Sequence, residues 1–305
     1  MKNWPKQSIG IGVLLVLIST FGFSFYTILG KFAFLGGASL ATVLFVRFLI
    51  AVLFFWTVTL WREGFPRLPL KTWLILWGMG GICYSLMAGL YMSSVRFIPA
   101  SLAALLLYVY PVIVTVIAVL TRQEKFSTYK LLGLLLSTFG LVMVLGLAFQ
   151  GINSLGVMLA LGSAFVYAVY ILIGHKVLKT TTALVSTTII STAATLTYGT
   201  IGFSMGSMTW NLSWGTWMVM VGIALLSTVI GMLTFFEGIK RIGATSASII
   251  STTEPVITVV LAVILFRESL TLLQVVGGIF VVLGGILAVL PPAPKIIQQV
   301  NSSVN

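Results

Sequence analysis

The chain has 305 residues, of which 59% are hydrophobic and only 7% charged, where ordinary soluble domains carry about 25% charge. That composition excludes a soluble enzyme and a soluble nucleic-acid-binding module, and it points to a protein embedded in a lipid bilayer. The net charge of +12 calls for no nucleic-acid partner, because the positions of the basic residues give another account.

Apolar runs of roughly 20 residues, each long enough to cross a ~30 Å hydrocarbon layer as a helix, are predicted near 8–30, 40–61, 72–93, 98–120, 128–148, 153–174, 182–205, 213–235, 243–265 and 269–290. The first is too long for a signal-peptide core, lacks a small-x-small cleavage site and leads straight into further spans, so it reads as a retained helix. The second carries Arg47. Trp56, Trp61, Trp73 and Trp77 flank the loop between the second and third spans, while Trp210, Trp214 and Trp217 flank a loop on the other side, as interfacial anchors do. Cys83, the single cysteine, lies inside the third span, which excludes an internal disulfide and suits a small-hydrophobe role. The fourth and ninth spans hold Pro111 and Pro255 near their centres. His175 and Lys176 close the sixth as orientation charges, and Glu237 with Lys240 and Arg241 forms an ion cluster at the end of the eighth. From Pro291 to Asn305 the chain turns polar and is expected to form a disordered cytoplasmic tail.

The ten spans are two copies of one unit at a constant offset of 144 residues. Between Ile98 and Val119, nine of 22 positions meet an identical residue 144 places on, among them Ala100, Ala103, Pro111, Val112 and Ile113. The register extends to both ends: Ser19, Phe21, Tyr26 and Gly30 fall on Ser163, Phe165, Tyr170 and Gly174, while Glu124, Gly133 and Gly140 fall on Glu268, Gly277 and Gly284. Five crossings per unit is an odd number, so the second copy enters the membrane from the opposite face and the halves are inverted. With the N-terminus inside, 13 of the 17 Lys and Arg residues fall at cytoplasmic ends, leaving Lys31, Arg47, Arg96 and Arg267 elsewhere. Both termini are therefore expected in the cytoplasm of a cell-membrane protein.

Inverted repeats let two similar halves exchange conformations, which makes inward-open and outward-open states nearly equal in energy and places a substrate site at the bilayer midplane between them. The paired stretches from Ile98-Pro99-Ala100-Ser101-Leu102-Ala103 through Tyr110-Pro111-Val112 and from Ile242-Gly243-Ala244-Thr245-Ser246-Ala247 through Glu254-Pro255-Val256 carry a resemblance. Each is followed by an acidic turn, at Glu124 and Glu268, and by a glycine-rich helix. With Phe21-Gly22-Phe23-Ser24-Phe25, Lys31 and Arg47, they resemble the EamA branch of the drug/metabolite transporter superfamily. The resemblance implies an all-α integral membrane protein with ten transmembrane helices as two inverted five-helix repeats, at 8–148 and 153–290. It also implies a central cavity lined by helices 1, 3, 4, 6, 8 and 9, and outward movement of amino acids or other small metabolites.

Glu254 is the leading candidate for function. An acid near the middle of a span costs on the order of 2.5–3.5 kcal/mol to insert, so it should face protein or water, where it can couple to protons or hold a substrate amine. Thr245, Ser248, Ser251, Glu254 and Thr258 recur at three or four residues and make one polar stripe on the ninth helix. Tyr110 stands where Glu254 stands in the other half, so a hydroxyl is paired with a carboxyl. Pro255 and Pro111 cannot donate to Ser251 and Leu107, which predicts helix bends with freed carbonyls. Tyr26, Tyr84, Tyr108 and Tyr170, on spans that the resemblance places around the cavity, offer hydroxyls and stacking faces. Arg47 reads as a clamp that snorkels outward onto helix ends, with capture of a substrate carboxylate as the alternative, and an acid tied to Arg47 or to backbone groups is the plain structural reading of Glu254.

With one His, one Cys and no Asp, the chain lacks a metal-ligand cluster and a Ser-His-Asp triad, so an enzyme is not expected and no cofactor is implied. There is no G-x-x-x-x-G-K-[ST] loop to use a nucleotide. The expected activity is export of small organic metabolites, amino acids or their relatives, by a secondary transporter with the lipid bilayer and a small-molecule substrate as its partners. Efflux of cationic drugs with Glu254 as counter-charge is the rival within transport, and a non-transporting scaffold the rival outside it. Gly277-Gly278 and Gly284-Gly285 suit close packing either within one chain or between two, which leaves the oligomeric state open.

Overall fold

The architecture is that of a computed structural model describing residues 6–124, 127–146, 153–266 and 270–290; Arg267, Glu268 and the 291–305 tail lie outside the described residues. Ten helical crossings follow in chain order. They are α1 (Lys6–Leu35), α2 (Leu40–Arg62), α3 (Leu70–Ser94), α4 (Ala100–Leu107 and Tyr110–Leu120) and α5 (Thr128–Leu145). The second five are α6 (Ser154–Val177), α7 (Ala183–Ser204), α8 (Trp214–Ile242), α9 (Ala244–Ser251 and Thr253–Phe266) and α10 (Leu272–Leu287). The described residues contain no strand.

Local chemistry sets the ends. Ser39, Thr182, Ser213 and Asn153 each accept a backbone N–H in the first turn of the helix they precede, and Thr271 with Gln274 forms a reciprocal capping box on α10. Helix α8 runs to Ile242, seven residues past its predicted end near 235. Its last turns bury Phe235, Phe236 and Ile239 while Glu237 and Arg241 pair at 3.6 Å on the other side. Helix α7 is rich in Thr and Ser yet largely buried, because Thr187, Thr188, Thr192, Thr195 and Thr197 return their hydroxyl protons to carbonyls four residues back.

The two halves interlock about a pseudo-two-fold axis. Each repeat's first helix is embedded in the other repeat: α1 packs on α8 and α9, and α6 on α3 and α4. Ser19 Oγ donates to the Gly231 carbonyl at 2.7 Å, and Ser163 Oγ donates to the Met87 carbonyl at 2.8 Å. Both donors and both acceptors are 144 residues apart, so these are one bond seen twice. Irregularities obey the same offset. Helix α3 widens into a π turn at Met79–Tyr84 and α8 at Ala224–Met232, while α4 breaks at Tyr108 and α9 at Thr252, one position ahead of Val109 and Thr253. The breaks stand three residues before Pro111 and Pro255, which open the second half-helices where a missing N–H costs little.

Two helix pairs close the bundle, α2 against α7 and α5 against α10. In the second pair Gly133 meets Gly284 and Gly140 meets Gly277, with each glycine's Cα facing the partner's carbonyl. Repeat mates therefore exchange contacts crosswise, as a two-fold axis requires. The glycine seam is occupied within the chain. Replacing Ser19 or Ser163 with Ala should each lower stability by about 1 kcal/mol, and the two losses should add; thermal unfolding in detergent checks this.

At the end of the bundle where α1 starts and α10 finishes, Glu124 holds α9 in place. Its Oε1 accepts the Thr245 N–H at 3.0 Å, its Oε2 takes a 2.6 Å ion pair from Lys130, and Gly243, at φ 84, lets the chain turn against the carboxylate. Burial works to raise the Glu124 pKa, but Lys130 and the Thr245 N–H outweigh it and hold the carboxyl below its usual range. The folded-state pKa thus lies below the unfolded one near 4.3, so the contribution is full above that pH and fades as the pH falls through the folded value. Glu124→Gln should flatten stability against pH in that acid window, as read by thermal unfolding between about pH 3 and 6.

Candidate functional site

The polar residues expected at the site gather in two groups on the axis between the repeats. The first is built on the broken helices. Glu254 follows the α9 break, and its backbone carbonyl accepts Ser24 Oγ from α1 at 3.0 Å and Thr258 Oγ1 at 2.9 Å. Its carboxyl has the Tyr108 hydroxyl within hydrogen-bonding reach, and Tyr110 lies close by with Ser251 beside its hydroxyl. Ser251 also donates to the Ala247 carbonyl at 2.9 Å, and Tyr110 is 2% exposed. Pseudo-symmetric mates Tyr110 and Glu254 thus meet near the axis. No Lys, Arg or His of the described residues comes within 4.0 Å of the Glu254 carboxylate. The reading of an acid tied to Arg47 does not hold.

The second group surrounds Arg47. Its Nε donates to Thr228 Oγ1 at 3.0 Å and its Nη2 to the Tyr84 hydroxyl at 3.3 Å. Tyr84 and Thr228 are repeat mates, so a group bonded to both lies on the two-fold axis at mid-depth. The guanidinium carbon stands 4.5 Å from the Tyr26 ring centre and 4.8 Å from that of Phe48. Arg47 is only 3% exposed. The expectation that it snorkels outward onto helix ends is overturned: hydroxyls and aromatic faces from α1, α2, α3 and α8 draw the side chain inward.

A run of aromatic rings joins the groups. Tyr108, Tyr110, Tyr167, Tyr170 and Tyr84 follow one another at centroid spacings of 6.1, 4.6, 6.1 and 6.2 Å, and Tyr84 meets Phe48 at 5.1 Å. Of the residues proposed from sequence, Thr245 and Ser248 lie apart, Thr245 against Glu124 and Ser248 donating to the Thr245 carbonyl at 2.9 Å, while the others belong to one of the two clusters or to the wall between them. Thr258 contributes least, since its hydroxyl is spent on the Glu254 carbonyl. Three contributors escaped the sequence reading. Tyr167 precedes Tyr170 by one helical turn, a spacing that could have flagged it. Thr228 was recoverable as the repeat mate of Tyr84. Tyr198 sits on α7, a helix outside the six expected to line a cavity, and nothing in its sequence context marks it.

A helical bundle of inverted repeats whose buried ionisable groups lie on the axis between the halves is the build of a membrane carrier for small molecules. The comparisons agree. The EamA-like transporter family matches at residues 10–146 and again at 154–290, and the chain belongs to that family. It is 31% identical over 284 residues to the uncharacterized transporter YcbK of Bacillus subtilis strain 168, covering 88% of this chain and 90% of that protein. It is 27% identical to the uncharacterized transporter sll1319 of Synechocystis, covering 88% and 89%. A protein of known crystal structure superposes with a TM-score of 0.77 at 18% identity over 91% of this chain and 96% of that one, a likeness that speaks for the fold alone. The chain is thus a multi-pass membrane transporter of small molecules.

Proposed function

We propose that this transporter exports small organic metabolites, amino acids or close relatives, across the cell membrane by alternating access of its two halves, with both termini in the cytoplasm. One observation carries the reading: Glu254 places a carboxyl group at the junction of the repeats, faced by tyrosines and by no basic side chain of the described residues. Such a group holds a substrate amine or exchanges a proton when the site turns from one side to the other. The drive is the proton gradient or the substrate's own gradient. Efflux of simple cations would use the same acid, but it gives the buried Arg47 no part in binding.

Counterflow in proteoliposomes across a panel of labelled metabolites tests the proposal. Saturable exchange of amino-acid-like compounds is the expected result. Preference for lipophilic cations over zwitterions, or no flux for any metabolite, would overturn it.

A further inference from the structure

Arg47 is a permanent cation with its charge unanswered. Among the described residues no carboxylate oxygen lies within 4.0 Å of it; it donates to neutral hydroxyls on Thr228 and Tyr84, with the Tyr26 hydroxyl also in reach. Guanidinium does not shed its proton, so the cost of burying it cannot be relieved by neutralisation. Cation–π contact with Tyr26 and Phe48 offsets only part of that cost.

Beside Arg47 are two more buried hydroxyls. Tyr198 Oη and Ser85 Oγ lie close to one another, and neither bonds to any other group of the described residues. Tyr198 is 8% exposed, and its ring stacks on Phe48 at 5.9 Å and meets Tyr84 edge-on at 6.5 Å. The threonines around it on α7 satisfy their hydroxyls on their own helix. A phenol cannot reach back that way, so the Tyr198 hydroxyl stays beside Ser85 and Arg47. Buried polar atoms without a good partner are rare in native proteins.

We propose that Arg47, Tyr84, Ser85 and Tyr198 form a carboxylate-binding subsite, so that the permeant carries a carboxylate and is an anion or zwitterion in place of a simple cation. The inference rests on the transport reading above and narrows its substrate class. A planar carboxylate matches the guanidinium fork, while the two hydroxyls supply donors to its outer lone pairs. Aromatic walls leave the rest of the molecule in an apolar setting that disfavours a fully hydrated inorganic anion. Glu254, at the other end of the ring wall, then holds an amine or a proton.

The test compares each of the twenty amino acids with its methyl ester and with the amine left by removing its carboxyl, as competitors of flux in proteoliposomes. Free acids should compete, and their esters and amines should compete at least about tenfold more weakly. Tyr198→Phe, which keeps the ring packing, should raise the apparent KM for the acid severalfold with the maximal rate retained, and leave that for the ester unchanged. Arg47→Gln should remove the preference for acids over esters, with folding followed by size-exclusion chromatography. If the wild-type protein moves esters and amines as well as acids, or if Tyr198→Phe weakens acid and ester alike, the subsite is wrong while transport stands. If the wild-type protein moves none of them, the transport reading itself falls.

Discussion

Glu254→Gln is expected to lower the maximal exchange rate on the order of 10- to 100-fold while the protein remains folded and stable. The carboxamide has the same shape, so the Tyr108 hydroxyl keeps an oxygen to meet and the Ser24 and Thr258 bonds, which go to the backbone carbonyl, are untouched. What is lost is the ability to ionise, and so to hold an ammonium group or exchange a proton. A charged hydrogen bond to a substrate ammonium contributes about 1.5–3 kcal/mol, which corresponds to that range of rate or affinity. Removing an unpaired acid from a membrane interior also lowers the cost of folding, so stability should hold or rise. The measurement is counterflow of the preferred labelled metabolite, with thermal unfolding of the same preparations. A mutant that is unstable and inactive would point to a structural acid, and one with wild-type flux would remove Glu254 from the mechanism.

Gly140→Leu should prevent accumulation of folded protein. A Cβ at this position would stand 2.5 Å from the Gly277 carbonyl oxygen and 2.8 Å from Phe280 Cβ and Val281 N, and two of those three atoms are backbone that cannot rotate away. Helices α5 and α10 approach this closely because glycine lets backbones touch, the means by which membrane helices gain dispersion contacts when no hydrophobic force separates protein from lipid. A leucine wedge would part them along the length of the seam and cost well above the typical ~1 kcal/mol of a point mutation. Gly30→Ala, where nothing lies within 4 Å of the added methyl, should have little effect. Yield and monodispersity by fluorescence-detected size exclusion distinguish the two.

Most of the fold was legible because inverted duplication writes itself into the sequence as a constant offset, and paired residues report the same place twice. Ser19 with Ser163, Gly133 with Gly277 and Pro111 with Pro255 were visible before any coordinates, and each pair takes up equivalent positions about the axis. The predicted end of α8 fell short for a physical reason. Hydropathy fades where Glu237, Lys240 and Arg241 enter, although Phe235, Phe236 and Ile239 continue the buried stripe.

The site was half legible. An acid in an apolar run stands out, and Glu254 was singled out that way. Arg47 was also singled out, but its direction was misread, because the sequence shows how deep a side chain starts and not which neighbours draw it. Tyr198 was invisible: a tyrosine on a threonine-rich helix looks like packing until Arg47 and Ser85 are seen beside it. The candidate site departs from the repeat at these same places. Arg47 faces Ser191 across the offset, and Glu254 faces Tyr110. Symmetry builds the scaffold, and the asymmetric positions carry the charge.

The central claim is that two homologous halves enter the membrane in opposite senses and meet at a site on the axis between them. Glu63 and Ser207 are repeat mates, both exposed, in the loops that follow α2 and α7. Single cysteines placed at each, in a Cys83→Ser background, can be reacted with a membrane-impermeant maleimide in intact and in opened cells. The account predicts that Cys at 207 reacts in intact cells and Cys at 63 only after opening. Labelling of both from the same side would contradict it.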